Sequence, residues 1–150
     1  MTLAPSQMLC FSLYSAAHAM QAAYTPLLAP LGLTYPQYLV LSALASGTEA
    51  DQQGQSLGQS LGQIGAQLML DSNTLTPMVK RMEAAGWVVR SRNRADERQV
   101  LVQLTPAGAA LVAEVGDVPG CFVARTGLDA AAIDAMRTAL SQLRDRLRQR

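Results

Sequence analysis

Cys10 carries the most reactive side chain of the N-terminal part, and three tyrosines follow it at Tyr14, Tyr24 and Tyr35. A thiolate attacks peroxides and becomes a sulfenic acid. Tyrosine hydroxyls can donate hydrogen bonds that favour the thiolate form. Because free cysteine is also among the most buried residue types, Cys10 could instead serve only to pack. Both roles remain open at this point.

The second cysteine, Cys121, follows Pro119-Gly120, a dipeptide that predicts a break where a loop could move. A second thiol that condenses with a sulfenic acid would make the oxidation reversible. Two cysteines are too few for a disulfide scaffold, and neither a CxxC pair nor a Cys/His spacing indicates a metal site. The single histidine, His18, cannot form a zinc site. We therefore expect no metal and no cofactor.

The basic residues form the second group with chemistry. Of the twelve Lys and Arg residues, six lie within Lys80–Arg98 and none precedes Lys80, although the net charge is only +1. Such a concentration of cations is typical of a surface that binds duplex DNA. The alternative is a solvated hairpin with ordinary charges.

The segment that carries these charges predicts a helix followed by a two-stranded hairpin. The helix is expected from about Thr74, as N-cap, to Ala85, with Gly86 in the left-handed region after its end. Strands Trp87–Arg92 and Gln99–Leu104 follow, joined by a polar tip. This order is that of a winged helix-turn-helix, in which Pro77 would fall in the first turn of the recognition helix.

The residues expected to contact DNA combine short polar side chains at the start of this helix with cations further along and at the wing tip. They are Ser72, Asn73, Thr74, Thr76, Lys80, Arg81, Arg94, Asp96 and Arg98. Asp96 would repel phosphate if it had no partner. We expect it to hold the Arg98 guanidinium in a bidentate pair.

The other elements are predicted to be helices, apart from a Gln/Gly-rich loop at Gly47–Ser60 of unknown role. The helices are expected at Pro5–Leu28, Tyr35–Ala45 after the Thr34 cap, Leu61–Leu68, Pro106 to near Val118, and after the Asp129 cap. In the last helix an apolar stripe predicts a helix-pairing seam: Ile133, Met136, Leu140, Leu143 and Leu147. The length indicates one domain, and no apolar run is long enough to span a membrane, so a cytoplasmic protein is expected.

Three segments resemble the MarR family of winged-helix regulators: LGLTYPQYLVL (31–41), LDSNTLTPMVKRMEAAGWV (70–88) and DERQVLVQLTPAG (96–108). With LCFSLY (9–14) in front, the chain is similar to the organic-hydroperoxide-sensing branch of that family. The resemblance implies a DNA-binding repressor that leaves its near-palindromic operator when an organic hydroperoxide oxidises Cys10.

The implied fold is mainly α with a small β-hairpin wing, assembled as an interlocked homodimer. Residues 1–46 and 106–150 would form the dimerisation helices, and residues 61–104 the DNA-binding part of a single domain.

The resemblance also assigns roles around the sulfur. Tyr24 and Tyr35 match tyrosines that hydrogen-bond the sulfur from the partner subunit, and Tyr14 matches a tyrosine near the oxidised cysteine. Cys121 lies where two-cysteine members keep a resolving thiol, which forms a disulfide across the dimer. Asn73 stands where the family usually has glycine.

Two other functions are compatible with the sequence. One is a MarR-type repressor released by a small aromatic ligand, with Cys10 only structural. The other is an enzyme, a thiol peroxidase, in which the cationic wing would have no role.

Overall fold

The computed structural model describes residues 3–47, 58–93 and 96–149. Within these ranges the elements, in chain order, are α1 (Leu9–Leu28), α2 (Tyr35–Ser46), β1 (Gln59–Ser60), α3 (Leu61–Leu68), α4 (Ser72–Ala84), β2 (Val88–Arg92), β3 (Val100–Leu104), α5 (Pro106–Glu114), α6 (Val118–Thr126) and α7 (Ala130–Arg148). The predicted class, mainly helical with a small antiparallel sheet, is confirmed. The chain divides into two compact units, Met1–Gly116 and Asp117–Arg150, which are described separately.

Helices α2 and α3 begin at capping boxes. At α2 the Thr34 hydroxyl accepts the Gln37 N–H at 3.5 Å, and the Gln37 side chain accepts the Thr34 N–H at 2.9 Å. Ser60 and Gln63 make the same reciprocal pair at α3. Because the cap satisfies N–H groups that the helix cannot, it fixes the starting residue. The predicted bounds of α2 and α3 are confirmed to within one residue.

The core of the first unit lies where α2, α3 and α4 meet the sheet. Its fully buried side chains are Leu28, Val40, Leu41, Ile64, Leu75, Val79, Met82, Val88 and Val102. Each such side chain contributes about 1.5–3 kcal/mol relative to an exposed one. This packing holds the recognition helix and the wing to one support.

The sheet has the order β1-β3-β2, with antiparallel pairing throughout. The strand β1 corrects the prediction of a loop over Gly47–Ser60, since Gln59 pairs with Val102 and its side chain is buried. The Gln59 amide Nε2 donates to the Ala43 carbonyl of α2 at 2.7 Å. Pairing with a strand about forty residues away leaves no local signal in the sequence, so only the folded chain reveals it. The rest of the predicted loop, residues 48–57, lies outside the described residues.

The expected break at Pro119-Gly120 is wrong. Helix α5 already ends at Glu114, and Val118, Pro119 and Gly120 form the first turn of α6. Proline lacks an N–H, which the first turn of a helix does not need, so this dipeptide starts a helix here instead of interrupting one. Cys121 therefore lies within α6.

In the second unit, Asp129 caps α7 as predicted, with its Oδ1 accepting the Ala132 N–H at 2.8 Å. No residue of α7 is buried. Three members of the predicted stripe are among the exposed large apolar side chains: Met136 at 52%, Leu140 at 45% and Leu147 at 71%. These three side chains are thus solvent-exposed in the described part of the chain.

By length and a mean hydropathy of 1.4, the stretch Pro106–Thr126 would suffice to cross a membrane. The core helices of proteins outside membranes meet the same criterion. The stretch is divided by a turn at residues 115–117 into α5 and α6, of nine residues each. A spanning helix needs about 20 residues, so neither one reaches that length.

Candidate DNA-binding surface and thiol site

Helices α3 and α4 form a helix-turn-helix, with a tight turn at Met69–Asp71. Met69 adopts φ 56°, in the left-handed region, and the Leu70 N–H donates to the Gly65 carbonyl at 3.0 Å. A Cβ at residue 65 would lie 2.8 Å from the Leu70 carbonyl oxygen, so this approach requires glycine.

The recognition helix α4 begins three residues earlier than predicted, because its N-cap is Asp71 and not Thr74. Asp71 is the N-cap, its Oδ1 accepting the Thr74 N–H at 2.9 Å, and Thr74 is the third helical residue. Pro77 consequently lies in the second turn, where its ring nitrogen leaves the Asn73 carbonyl without the usual helical donor. Asn73 is exposed, so water can serve that carbonyl. Asp and Thr are both good N-caps. We attribute the choice of Asp71 to the packing of the apolar face of α4.

The two faces of α4 differ in chemistry. Leu75, Met78, Val79 and Met82 are buried and face the core. On the other side the predicted DNA contacts are exposed or, in the case of Thr76, half-buried: Ser72, Asn73, Thr74, Thr76, Lys80 and Arg81. Hydroxyls, an amide and cations on one solvated helix face suit both phosphates and base edges of a major groove.

At the wing tip Asp96 does not pair with the Arg98 guanidinium, contrary to prediction. Its Oδ1 accepts the Arg98 backbone N–H at 3.1 Å, and its carbonyl accepts the Gln99 N–H at 2.9 Å. Aspartate commonly bonds the backbone two residues on, which closes a turn. Arg98 takes part in none of the ion pairs among the described residues, and its side chain is exposed. Arg94 lies outside the described residues.

The wing base carries a contact that the sequence analysis missed, between Glu83 of α4 and Arg90 of β2. Glu83 Oε1 accepts the Arg90 backbone N–H at 3.0 Å, and Oε2 accepts from Nε at 2.8 Å and lies 2.6 Å from Nη2. The bonds from Arg90 hold the pKa of Glu83 below its ordinary value. The sequence signal that could have revealed this contact is the pair of opposite charges, Glu83 before and Arg90 after the turn at Gly86.

Cys10 is the second residue of α1, and its side chain is exposed. Tyr14, one turn further on, is also exposed, with its ring centroid 4.4 Å from that of His18. Tyr24 lies fourteen residues from Cys10 on the same helix, a separation of about 21 Å along the axis at about 1.5 Å per residue. Within one chain, therefore, Tyr24 cannot reach the Cys10 sulfur.

Tyr24 and Tyr35 lie together, with ring centroids 4.7 Å apart. Burial raises the pKa of Tyr24 to about 12, with smaller contributions from Tyr35 and Tyr38. The pKa of Tyr35 is raised too, first by burial and then by Tyr38. Both phenols thus keep their proton at neutral pH and can act as hydrogen-bond donors. A cavity of about 230 Å³ lies beside Tyr35, lined also by Gln21 and Thr25.

Cys121, in the second unit, is exposed in α6, and both cysteines are free thiols. Among the described residues, no group of three or more His, Cys, Asp or Glu side chains is arranged to hold a metal ion.

The chain matches known transcriptional regulators over most of its length. Residues 22–115 match the family described as transcriptional regulator SarA/Rot. The regulator TtmR of Methylorubrum extorquens is 44% identical over 95% of this chain and 68% of its own length. The organic hydroperoxide resistance transcriptional regulator of Bacillus subtilis is 39% identical over 95% of this chain and 90% of its own. The chain belongs to the MarR family of winged-helix regulators.

Solved structures agree with this MarR-family assignment. Reduced AbfR bound to DNA superposes with a TM-score of 0.75 at 34% identity, covering 93% of this chain and 89% of that one. The MarR-family chain is accordingly a DNA-binding transcriptional regulator. Its relatives are transcriptional regulators and not enzymes, which argues against the thiol peroxidase considered from the sequence.

Proposed function

We propose that this regulator is a repressor that releases its operator when an organic hydroperoxide oxidises Cys10. The observation that carries the proposal is the exposure of the Cys10 thiol in the first turn of α1. A cysteine kept only for packing within its own subunit would be buried. The similarity to the hydroperoxide resistance regulator of B. subtilis supports the choice of oxidant.

The chemistry at Cys10 is a two-electron oxidation. The thiolate attacks the distal oxygen of ROOH, the O–O bond breaks, and RO⁻ takes up a proton and leaves as an alcohol. The sulfur becomes a sulfenic acid. Phenols that stay protonated, such as Tyr24 and Tyr35, are suited to donate hydrogen bonds to the thiolate before it reacts.

Those phenols would come from a second copy of the chain. The separation of about 21 Å between Cys10 and Tyr24 along α1 excludes an arrangement within one subunit. Exposed apolar side chains on α1 and α7, such as Leu9 at 64% and Leu147 at 71%, offer the area that a dimer interface needs. We assign dimerisation to residues 1–46 and 106–150, with Tyr14 next to the oxidised sulfur.

The DNA-binding part is residues 61–104. Two recognition helices in a two-fold dimer would read half-sites about one helical turn apart on a near-palindrome. The exposed polar face of α4 would enter the major groove, with Arg94 and Arg98 at the wing reaching the adjacent minor groove. A protein with this partner acts where the chromosome is, in the cytoplasm of a bacterium.

Cys121 would resolve the sulfenic acid. Its thiol attacks the Cys10 sulfur of the other subunit, which forms a disulfide and releases water. Bridging needs Cα atoms within about 4.4–6.8 Å, and we expect the first turn of α6 at Pro119 and Gly120 to open as they approach. We assign the loss of operator binding to the accompanying shift of the dimerisation helices.

The test is titration of operator binding with cumene hydroperoxide, followed by fluorescence anisotropy on the duplex that the wild type selects from a random-sequence pool. Wild type should be released, whereas Cys10→Ser should stay bound at the same peroxide concentration. Cys121→Ser should still respond, but only wild type should form a linked dimer on a non-reducing gel and recover with a thiol reductant. Equal release of Cys10→Ser and wild type would refute the cysteine sensor.

Release by a small aromatic ligand is the second candidate, favoured by the cavity beside Tyr35. Its volume of about 230 Å³ is below the roughly 300–1,000 Å³ of typical ligand pockets, which favours the cysteine mechanism. Titrating Cys10→Ser with aromatic carboxylates distinguishes the two, because only ligand release would survive that substitution.

A further inference from the structure

We propose that Glu83 is a positioning residue for DNA recognition: by bonding Arg90, it holds the wing at a fixed angle to the recognition helix. Arg90, although a wing arginine, is thereby a part of the scaffold and not a phosphate contact. The proposal rests on DNA binding by this family and is independent of the hydroperoxide mechanism.

The contact uses both oxygens of one carboxylate against one residue. Glu83 accepts the backbone N–H of Arg90 as well as its guanidinium, so it fixes the strand itself and not only a side chain. β2 is an outer strand of the described sheet, and Arg90 pairs with Val102 of β3. The N–H given to Glu83 therefore points away from β3, on the open edge of β2.

In the described part of the chain, the other hydrogen bonds at the junction of α4 and the wing lie at the wing base. The Gly86 and Trp87 N–H groups donate to α4 carbonyls at 2.9 and 3.0 Å, and the Thr105 hydroxyl donates to the Gly86 carbonyl at 2.6 Å. Arg90 is three residues further along the strand than Trp87. Because the Glu83–Arg90 contact lies at a distance from the base, it resists rotation of the hairpin. Hydrogen bonds at the base itself lie close to the axis of that rotation and resist it little.

The wing tip amplifies any rotation. At about 3.3 Å per residue, Asn93 lies roughly 20 Å from Trp87 at the wing base, so a turn of about 15° moves it by about 5 Å. A shift of this size exceeds the length of a hydrogen bond, enough to take a tip arginine out of a minor groove. The major-groove contacts of α4 would be retained, because the core holds α4.

The negative charge of Glu83 makes the two possible roles distinguishable, because they predict opposite changes in DNA affinity when the charge is removed. Removing a carboxylate from a DNA-binding face ordinarily strengthens binding to every sequence, because it reduces repulsion of phosphate. If Glu83 positions the wing, Glu83→Gln should instead weaken specific binding at least tenfold, with unchanged or stronger binding to unrelated DNA. Glu97→Gln is the matched control, since Glu97 is exposed near the wing tip and is in none of the ion pairs of the described residues.

The experiment measures affinities of the full-length protein for two duplexes, the one selected by wild type from a random pool and a shuffled one of equal composition. Hydroxyl-radical footprints should show that Glu83→Gln loses minor-groove protection under the wing and keeps the major-groove pattern. Stronger binding of Glu83→Gln to both duplexes, as expected for Glu97→Gln, would overturn the proposal.

Arg90 supplies a second, independent variant. Arg90→Lys keeps the charge but lacks the planar fork that gives parallel bonds, so it should also reduce the preference for the selected duplex. Arg90→Gln should leave the salt dependence of binding to the shuffled duplex unchanged, whereas Lys80→Gln should lower its slope by about one. A lowered slope on that duplex in Arg90→Gln would show that Arg90 contacts phosphate, and a wild-type preference in Arg90→Lys would show that the planar fork does not position the wing.

Discussion

At the scale of single residues, the burial of Tyr24 has an effect on its pKa that can be tested. It is only 7% exposed, it packs against Tyr35 and Tyr38, and its pKa is raised from 10.0 to about 12. The cause is desolvation first, since burial removes water that would stabilise the phenolate, and Tyr35 and Tyr38 raise the pKa further. The burial that raises this pKa also makes folding sensitive to alkali.

We expect the stability of the protein to fall between about pH 10 and about pH 12. The unfolded state releases the Tyr24 proton near pH 10 and the folded state only near pH 12, so rising pH favours unfolding in this window and has no such effect below it. Urea denaturation of Tyr24→Phe across the window should show a smaller alkaline loss than wild type. Tyr14→Phe, at an exposed position, is the control and should behave as wild type; an undiminished loss in Tyr24→Phe would contradict the assignment.

At the scale of elements, helices α5 and α6 both have a proline and then a glycine in their first turn, but the two glycines have different surroundings. Gly108 is the third residue of α5 and Gly120 the third residue of α6, each shortly after a proline. A Cβ at residue 108 would lie 1.9 Å from the Trp87 carbonyl oxygen, whereas at residue 120 nothing lies within 4 Å. Gly108 thus lets α5 pack against the base of the wing.

Gly108→Ala should accordingly reduce the free energy of unfolding by about 1–3 kcal/mol, because backbone must move to admit the methyl group. Gly120→Ala should leave it unchanged or increase it by up to about 1 kcal/mol, the helix propensity difference. Denaturant titrations of both variants measure the contrast. Equal effects of the two substitutions would show that the close approach to Trp87 is not a constraint in solution.

At the scale of the whole molecule, the apolar stripe of α7 is the feature that bears on assembly. Leu140 is 45% exposed in the middle of a helix that has no buried residue. Such a surface, repeated at helical spacing, is typical of a subunit interface. The proposed dimer would cover it.

Leu140→Glu should shift the protein toward monomer and weaken binding to a two-half-site duplex at least tenfold, because each monomer would read a single half-site. Thr138→Glu adds the same charge on the opposite face of α7 and should remain dimeric. Sedimentation velocity of the two variants at micromolar concentration is the measurement. A wild-type protein that sediments as a monomer would remove the basis of the proposed sensor.

Much of the fold follows from the sequence alone because its signals are local. The caps at Thr34, Thr105 and Asp129 each bond an N–H three residues away, and Gly86 ends α4 at φ 79° as expected. A cap or a left-handed glycine acts within one turn, so a short segment is enough to identify it. The polar and cationic face of α4 was likewise predictable from helical spacing.

Tertiary structure decided what depends on residues that meet only in the folded chain. Asp71 and Thr74 were both competent caps, and packing of the apolar face of α4 selected Asp71. The pairing of Gln59 with Val102, the contact of Tyr24 with Tyr35 and the bond from Glu83 to Arg90 each join separate elements. The physical reason is that local hydrogen bonds determine where an element begins and ends, whereas the free energy of packing and desolvation determines which elements touch.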